Sequence, residues 1–183
     1  SLLFGSGFAA DPQYPWAAEL LHSDEYSDPM HRADALHGRA CEYLRQVGGA
    51  ENEHTRAALE RLAAAADHEL AVRAEHFTAD TLQLLKRLHP EKYAYTGPAP
   101  LEALITNAAA RARIDHGFTS TRAALVLTVL MFAFGHDCDR DPLYPWIGST
   151  LEPTAPADAD HVATKLERRA LIWLRAVLKN LRS

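Results

Sequence analysis

Apolar positions along most of this chain recur at three- and four-residue steps, the spacing of a helix that buries one stripe. Leu36, Ala40, Tyr43, Leu44 and Val47 follow this step within a long segment from His31 to Val47, and His161–Leu181 repeats it. Glu53–Ala74 is dense in Ala, Leu, Glu and Arg, all strong helix formers. Thr78–Leu88 reads as a shorter amphipathic helix stopped by His89-Pro90, and 90–100, with Pro90, Gly97, Pro98 and Pro100, reads as a loop. Leu101–Ile114 is helical until Gly117; Thr119, Ser120 or Thr121 then caps a helix carrying the apolar run Ala123–Phe134. That run is about a dozen residues, which suits a buried core helix and is too short to cross a bilayer. No stretch alternates with a period of two in β-branched residues. The fold class is therefore all-α, with about eight helices.

A second pattern is laid over the first. Phe4-Gly-Ser-Gly-Phe-Ala-Ala-Asp-Pro-Gln-Tyr-Pro-Trp16 is echoed by Phe134-Gly-His-Asp-Cys-Asp-Arg-Asp-Pro-Leu-Tyr-Pro-Trp146. At a constant offset of 130, residues 4–47 and 134–177 agree at 17 of 44 positions, with Tyr43 facing Trp173 as a further aromatic match. Chance does not align a Trp, a Tyr and two prolines, so this is a duplicated supersecondary unit. The organisation expected is one helical domain, 1–183, with units 4–47 and 134–177 flanking a central helical segment 50–133. Asp11-Pro12 and Asp141-Pro142 read as helix starts, with Asp as a cap for orphan N–H groups, although Pro15 and Pro145 can also mark the first turn. Tyr14, Trp16, Tyr144 and Trp146 then belong to a short helix ending near Leu21 or its counterpart, and each Trp is expected to lock that helix to the long one. A polar linker with Pro29, or with Pro153 and Pro156, leads into the long helix. A complete apolar helix precedes Phe134, whereas only Ser1-Leu2-Leu3 precede Phe4. The first unit has lost a leading helix, the chain is a piece of a longer one, or central helices take that place.

Composition changes this picture little. A 20.2 kDa chain with 48% apolar and 23% charged residues suits a single folded domain. A net charge of −5 argues against nucleic acid as a general partner and is compatible with a basic protein partner. Cys41 and Cys138 are too few for a disulfide framework and fit reduced thiols in a cytoplasmic protein. No signal peptide is visible.

The candidate chemistry lies where the copies differ. His136, Asp137, Cys138 and Asp139 are all metal-ligand types, but adjacent residues rarely converge on one ion, and the other copy has Ser6, Gly7, Phe8 and Ala9 in those slots. Phe8 opposite Cys138 suggests that this thiol is a small buried apolar group. The ten histidines include no His-x3-His pair; His31 and His161 are matched at the starts of the long helices, and Asp67-His68-Glu69 reads as surface. Arg39 and Arg169 are also matched, with Asp11 and Asp141 as expected partners. Nucleophile-elbow, Walker and dinucleotide motifs are missing from the sequence, so no catalytic residue and no cofactor is assigned.

The Phe-Gly-x5-Asp-Pro-x-Tyr-Pro-Trp pattern, led in by Gly117-Phe118-Thr119 and an apolar helix, resembles uncharacterised all-helical proteins of bacterial type VI secretion and toxin–immunity gene neighbourhoods. The likeness covers about thirty residues, 117–151, and more briefly 4–21. It implies a cytoplasmic immunity or accessory protein that binds a toxin or a secretion component, without spanning a membrane. The expected function is non-enzymatic protein binding. The alternatives are a metal-binding domain or metal-dependent enzyme using 136–139, and a helical domain of a secreted effector.

Overall fold

A computed structural model describes residues 4–67, 72–152 and 159–181, and all the regular structure among them is helical. The elements are α1 (Pro15–His22), α2 (Pro29–Tyr43), α3 (Glu53–Asp67), α4 (Phe77–Leu88), α5 (Pro90–Thr96), α6 (Pro98–Ile114), α7 (Thr121–Phe134), α8 (Pro145–Leu151) and α9 (Ala159–Asn180). Nine α-helices thus stand among the described residues where about eight were expected. The extra one is α5, inside the stretch read as a loop. Its prolines do not break helices there, because Pro90 and Pro98 each occupy the first helical position, where no intrahelical N–H bond is lost. His68 and Glu69, with Pro153 and Pro156, lie outside the described residues.

The helix α7 is the axis of the fold. Ser120 caps it, its hydroxyl accepting from Ala123 N at 3.2 Å, and nine of its fourteen residues are buried. It pairs most extensively with α6, and α4, α9 and Ile147 of α8 close around the pair. Leu85, Leu101, Leu104, Ile105, Leu125 and Leu127 are fully buried in this core, each contributing about 2 kcal/mol relative to an exposed side chain. The apolar run is therefore a central helix packed on all sides, which is why it shows so little amphipathic contrast.

The two repeated units are placed differently. The second, α8 and α9, contributes Ile147, Ala163 and Leu166 to the main core. The first, α1 and α2, keeps a separate core of Phe4, Tyr14, Trp16, Ala17, Leu20, Tyr43 and Val47. Their local geometry is nevertheless conserved. Phe4 stands at 5.0 Å from Tyr14, 5.9 Å from Trp16 and 5.2 Å from Tyr43. Phe134 stands at 4.8 Å from Tyr144, 6.2 Å from Trp146 and 4.9 Å from Trp173. The link between short and long helix thus runs through the phenylalanine of each Phe-Gly pair, with the tryptophan as one of its walls.

One difference inside the repeat is local. After Tyr43 the first long helix widens into a π-helical turn, Leu44–Gly48, whereas the matching residues 174–178 remain α-helical within α9. The widened turn precedes Gly49, at φ +86°, and Asn52, at φ +59°.

Candidate functional site: the junction of the two motifs

The two Phe-Gly motifs meet face to face and exchange hydrogen bonds. The main-chain N–H of His136 donates to Asp11 Oδ2 at 2.8 Å, and that of Ser6 donates to Asp141 Oδ2 at 2.5 Å. Ser6 and His136 are equivalent in the repeat, as are the two aspartates, so the junction has local twofold character. Each aspartate also takes the N–H two residues on, Gln13 N to Asp11 at 2.9 Å and Leu143 N to Asp141 at 2.9 Å. Gly5 and Gly135, at φ +82° and +102°, let the chains approach this closely: a Cβ at Gly135 would lie 3.0 Å from Phe4 O.

This corrects the reading of Asp11 and Asp141 as helix caps. The short helices begin at Pro15 and Pro145, behind Tyr14 and Tyr144, and neither has a side-chain cap. The carboxylates instead fold their own Asp-Pro-x-Tyr turns and hold the opposite copy. Pro12 and Pro142 lie inside those turns. Arg39 and Arg169 do not reach them either. Arg39 pairs with Glu42 one turn along its own helix at 3.1 Å, and Arg169 donates to Thr150 Oγ1 at 2.7 Å.

The cluster 136–139 diverges instead of converging. Cys138 is 1% exposed and belongs to the core, as its place opposite Phe8 suggested; burial, reinforced by Asp139, pushes its thiol well above the ordinary value. Arg111, on α6, reaches down to Asp137 at 2.8 Å, Asp139 at 2.9 Å and the His136 carbonyl at 3.1 Å. His116 Nε2 lies 3.0 Å from the other Asp139 oxygen. Among the described residues, no three His, Cys, Asp or Glu side chains are arranged to hold a metal ion. The loop reads physically as an anionic clamp on Arg111. Burial alone would raise Asp139, but the hydrogen bond from His116 and the Arg111 charge overcome it and hold the carboxyl low. His136 is raised, first by the Asp11 carboxylate 3.5 Å from Nδ1 and then, against burial, by Asp137 at 3.1 Å from Nε2.

On the other side of Asp11 lies a group that sequence reasoning passed over. Lys92, at the start of α5, is buried, and its ammonium donates to Phe132 O at 2.5 Å. That carbonyl is one of the last four of α7, which have no intrahelical partner, so a cation sits on the negative end of the helix. Gln13 Nε2, fully buried, covers the neighbouring Met131 O at 3.0 Å. The Lys92 ammonium lies 4.7 Å from the Phe132 ring centre and 5.7 Å from that of Tyr14. Burial lowers its pKa to about 8, although the charge of Asp11 acts in the opposite direction. His89 caps the same helix, its Nδ1 accepting from Lys92 N at 3.3 Å; burial, helped by the Lys92 charge, lowers it to about 4, so the ring is neutral. A lysine in a Pro-Glu-Lys-Tyr stretch carries no periodic signal of burial, and reading 90–100 as a loop placed it in water. The one available hint was the His-Pro-Glu-Lys order itself, a possible cap and first turn.

No protein-family model, no curated protein and no solved structure matches the chain. No helix among the described residues is long and apolar enough to cross a membrane.

Proposed function

We propose that this chain is a non-enzymatic protein-binding protein, an immunity or accessory protein of a bacterial toxin or secretion system, whose first repeated unit docks on a basic partner surface. One observation carries the reading: the charge is not spread evenly. Residues 1–52 hold eight Asp and Glu against three Arg, while the remainder has sixteen of each sign, so the whole net charge of −5 resides in this stretch, all but one unit of it within the first repeated unit. Glu19, Asp24, Glu25, Asp28 and Asp34 are exposed there, with Met30 at 71% exposure among them and His22, His31 and His37 nearby. An exposed, flexible apolar side chain on an acidic unit suits a basic protein surface with an apolar centre, and the acidic field speeds encounter.

The test is calorimetric titration against the purified toxin encoded beside this gene, with growth rescue as the second readout. Asp24→Lys, Glu25→Lys and Asp34→Lys together, sparing Asp28 because it caps α2 through His31 N at 2.9 Å, should weaken binding about a hundredfold and abolish rescue. Binding unchanged in the triple variant, or no binding by the wild type, overturns the reading.

A further inference from the structure

Between the π-helical turn, α3, α4 and α7 the fold leaves a half-open cavity of about 290 Å³, at the small end of the usual range for ligand pockets. Its lining mixes exposed residues, Asn52, Thr55 and Ala133, with the buried Tyr14, Tyr43 and Lys92. Aliphatic side chains make up much of the rest, among them Val47, Leu59 and Val129. We propose that this cavity binds a small amphiphilic monocarboxylate, its carboxylate on Lys92 and its apolar chain or ring along the aliphatic walls.

Three features of the molecule carry this. A buried ammonium has three N–H groups, and Lys92 spends one on Phe132 O, so two are available to a carboxylate without loss of the helix cap. Tyr14 and Tyr43, whose hydroxyls are hydrogen-bonded to each other, stay protonated because burial raises both, and the pair has one O–H left to donate to a ligand. The π-helical turn is the third. The duplicated helix is plain α in the second copy, where Leu174, the match of Leu44, lines a cavity of only about 60 Å³, and widened at Leu44–Gly48 in the first, where Leu44, Val47 and Gly48 form the wall of the larger one. Single π-turns of this kind concentrate at functional sites. Lys92 carries a single positive charge and Asp11 already lies within its field, so a monoanion is far less costly to bring in than a phosphate dianion.

The probes are octanoate, octan-1-ol and octylammonium, titrated into the full chain by calorimetry. Octanoate is expected to bind saturably and at least about tenfold more tightly than octan-1-ol, with octylammonium weakest. Lys92→Met should erase the preference for octanoate over the alcohol. Leu59→Trp, which fills the cavity and leaves Lys92 on its carbonyl, should abolish binding of both, so the test survives even if Lys92→Met does not fold. Octan-1-ol equal to octanoate, no saturable octanoate binding, or undiminished octanoate binding in Leu59→Trp overturns the proposal.

Discussion

The main-chain N–H of His136 donates to the carboxylate of Asp11, 125 residues earlier, at 2.8 Å, and Ser6 returns the same bond to Asp141. The two copies of the motif are thus each other's binding partners. Asp11 is the more deeply committed of the two, because Gln13 Nε2 also donates to it at 3.2 Å. Asp11→Ala leaves several buried donors without an acceptor and should cost about 3 kcal/mol; Asp141→Ala, with two main-chain donors, should cost about 1–2 kcal/mol. Urea unfolding of both variants measures this, and losses below about 0.5 kcal/mol at both sites would sink the account of the junction.

Gly135→Ala tests the close approach itself. The left-handed φ of +102° strains any side chain, and the new Cβ would stand 3.0 Å from Phe4 O, a backbone atom that cannot swing away. A loss of about 2 kcal/mol or more is expected. Gly97→Ala is the control: its φ is similar, at +82°, but nothing lies within 4 Å of the added carbon. If both cost the same, the strain is in the backbone alone and the junction contributes nothing.

Two histidines should pull stability in opposite directions with pH. His136 is raised above its ordinary value, so its stabilising contribution is fully present below the unfolded value, about 6.5, and is lost as pH rises through the folded one. The stability difference between wild type and His136→Gln should therefore shrink between pH 5.5 and 8.5. His89 is lowered to about 4, so the unfolded chain takes up a proton there that the folded chain refuses, and stability falls as pH drops from 6.5 towards 4. That loss is of the order of 2–3 kcal/mol. His89→Asn, which keeps a capping acceptor, should blunt it. A His89→Asn variant as acid-sensitive as the wild type would remove the neutral, buried imidazole from the explanation.

Thiol chemistry separates the two cysteines. Cys41 is exposed and Cys138 buried with its thiol pushed up. A disulfide reagent should titrate one thiol promptly in the native chain and two after denaturation. Cys138→Ser should leave the fast native reaction in place, whereas Cys41→Ser should remove it. A prompt reaction of two thiols in the native protein would contradict the placement of Cys138 in the core.

Much of this fold could be read in advance, because helical periodicity and the duplication are local or self-referential signals. Leu36, Ala40, Tyr43 and Leu44 announced a buried stripe, and Trp16 against Trp146 announced equivalence. What could not be read was what the copies do to each other. Asp11-Pro12 has the letters of a helix start, and only tertiary contact turns the carboxylate toward residue 136. Arg111 and Lys92 were equally opaque, since a cation on a helical segment reads as solvated until its neighbours are known. The prolines misled for a physical reason: Pro90 and Pro98 begin helices as readily as they end them. The metal-like letters of 136–139 stood out only as the part the copies do not share; in the structure the carboxylates among them lie on the guanidinium of Arg111.

That asymmetry has a steric cause, which supports a last prediction. The counterpart of Asp137 is Gly7, and the two face each other across the junction: a Cβ on Gly7 would fall 2.5 Å from Asp137 Oδ2 and 3.1 Å from both Asp137 Cβ and His136 Cε1. One copy must be bare for the other to place its carboxylate on Arg111, 2.8 Å away. Making the copies alike with Gly7→Asp introduces a clash and a second negative charge beside Asp137, and should cost about 2–3 kcal/mol. Asp137→Gly alone gives up its ion pair with Arg111, a half-exposed contact contributing about 1 kcal/mol or less. Combining them moves the carboxylate to the opposite copy's loop and removes the clash, so the double variant should be more stable than Gly7→Asp alone. Chemical unfolding of the four proteins closes a double-mutant cycle. Additive losses would mean that residues 7 and 137 do not sense one another, and the divergence of the two copies would then need another cause.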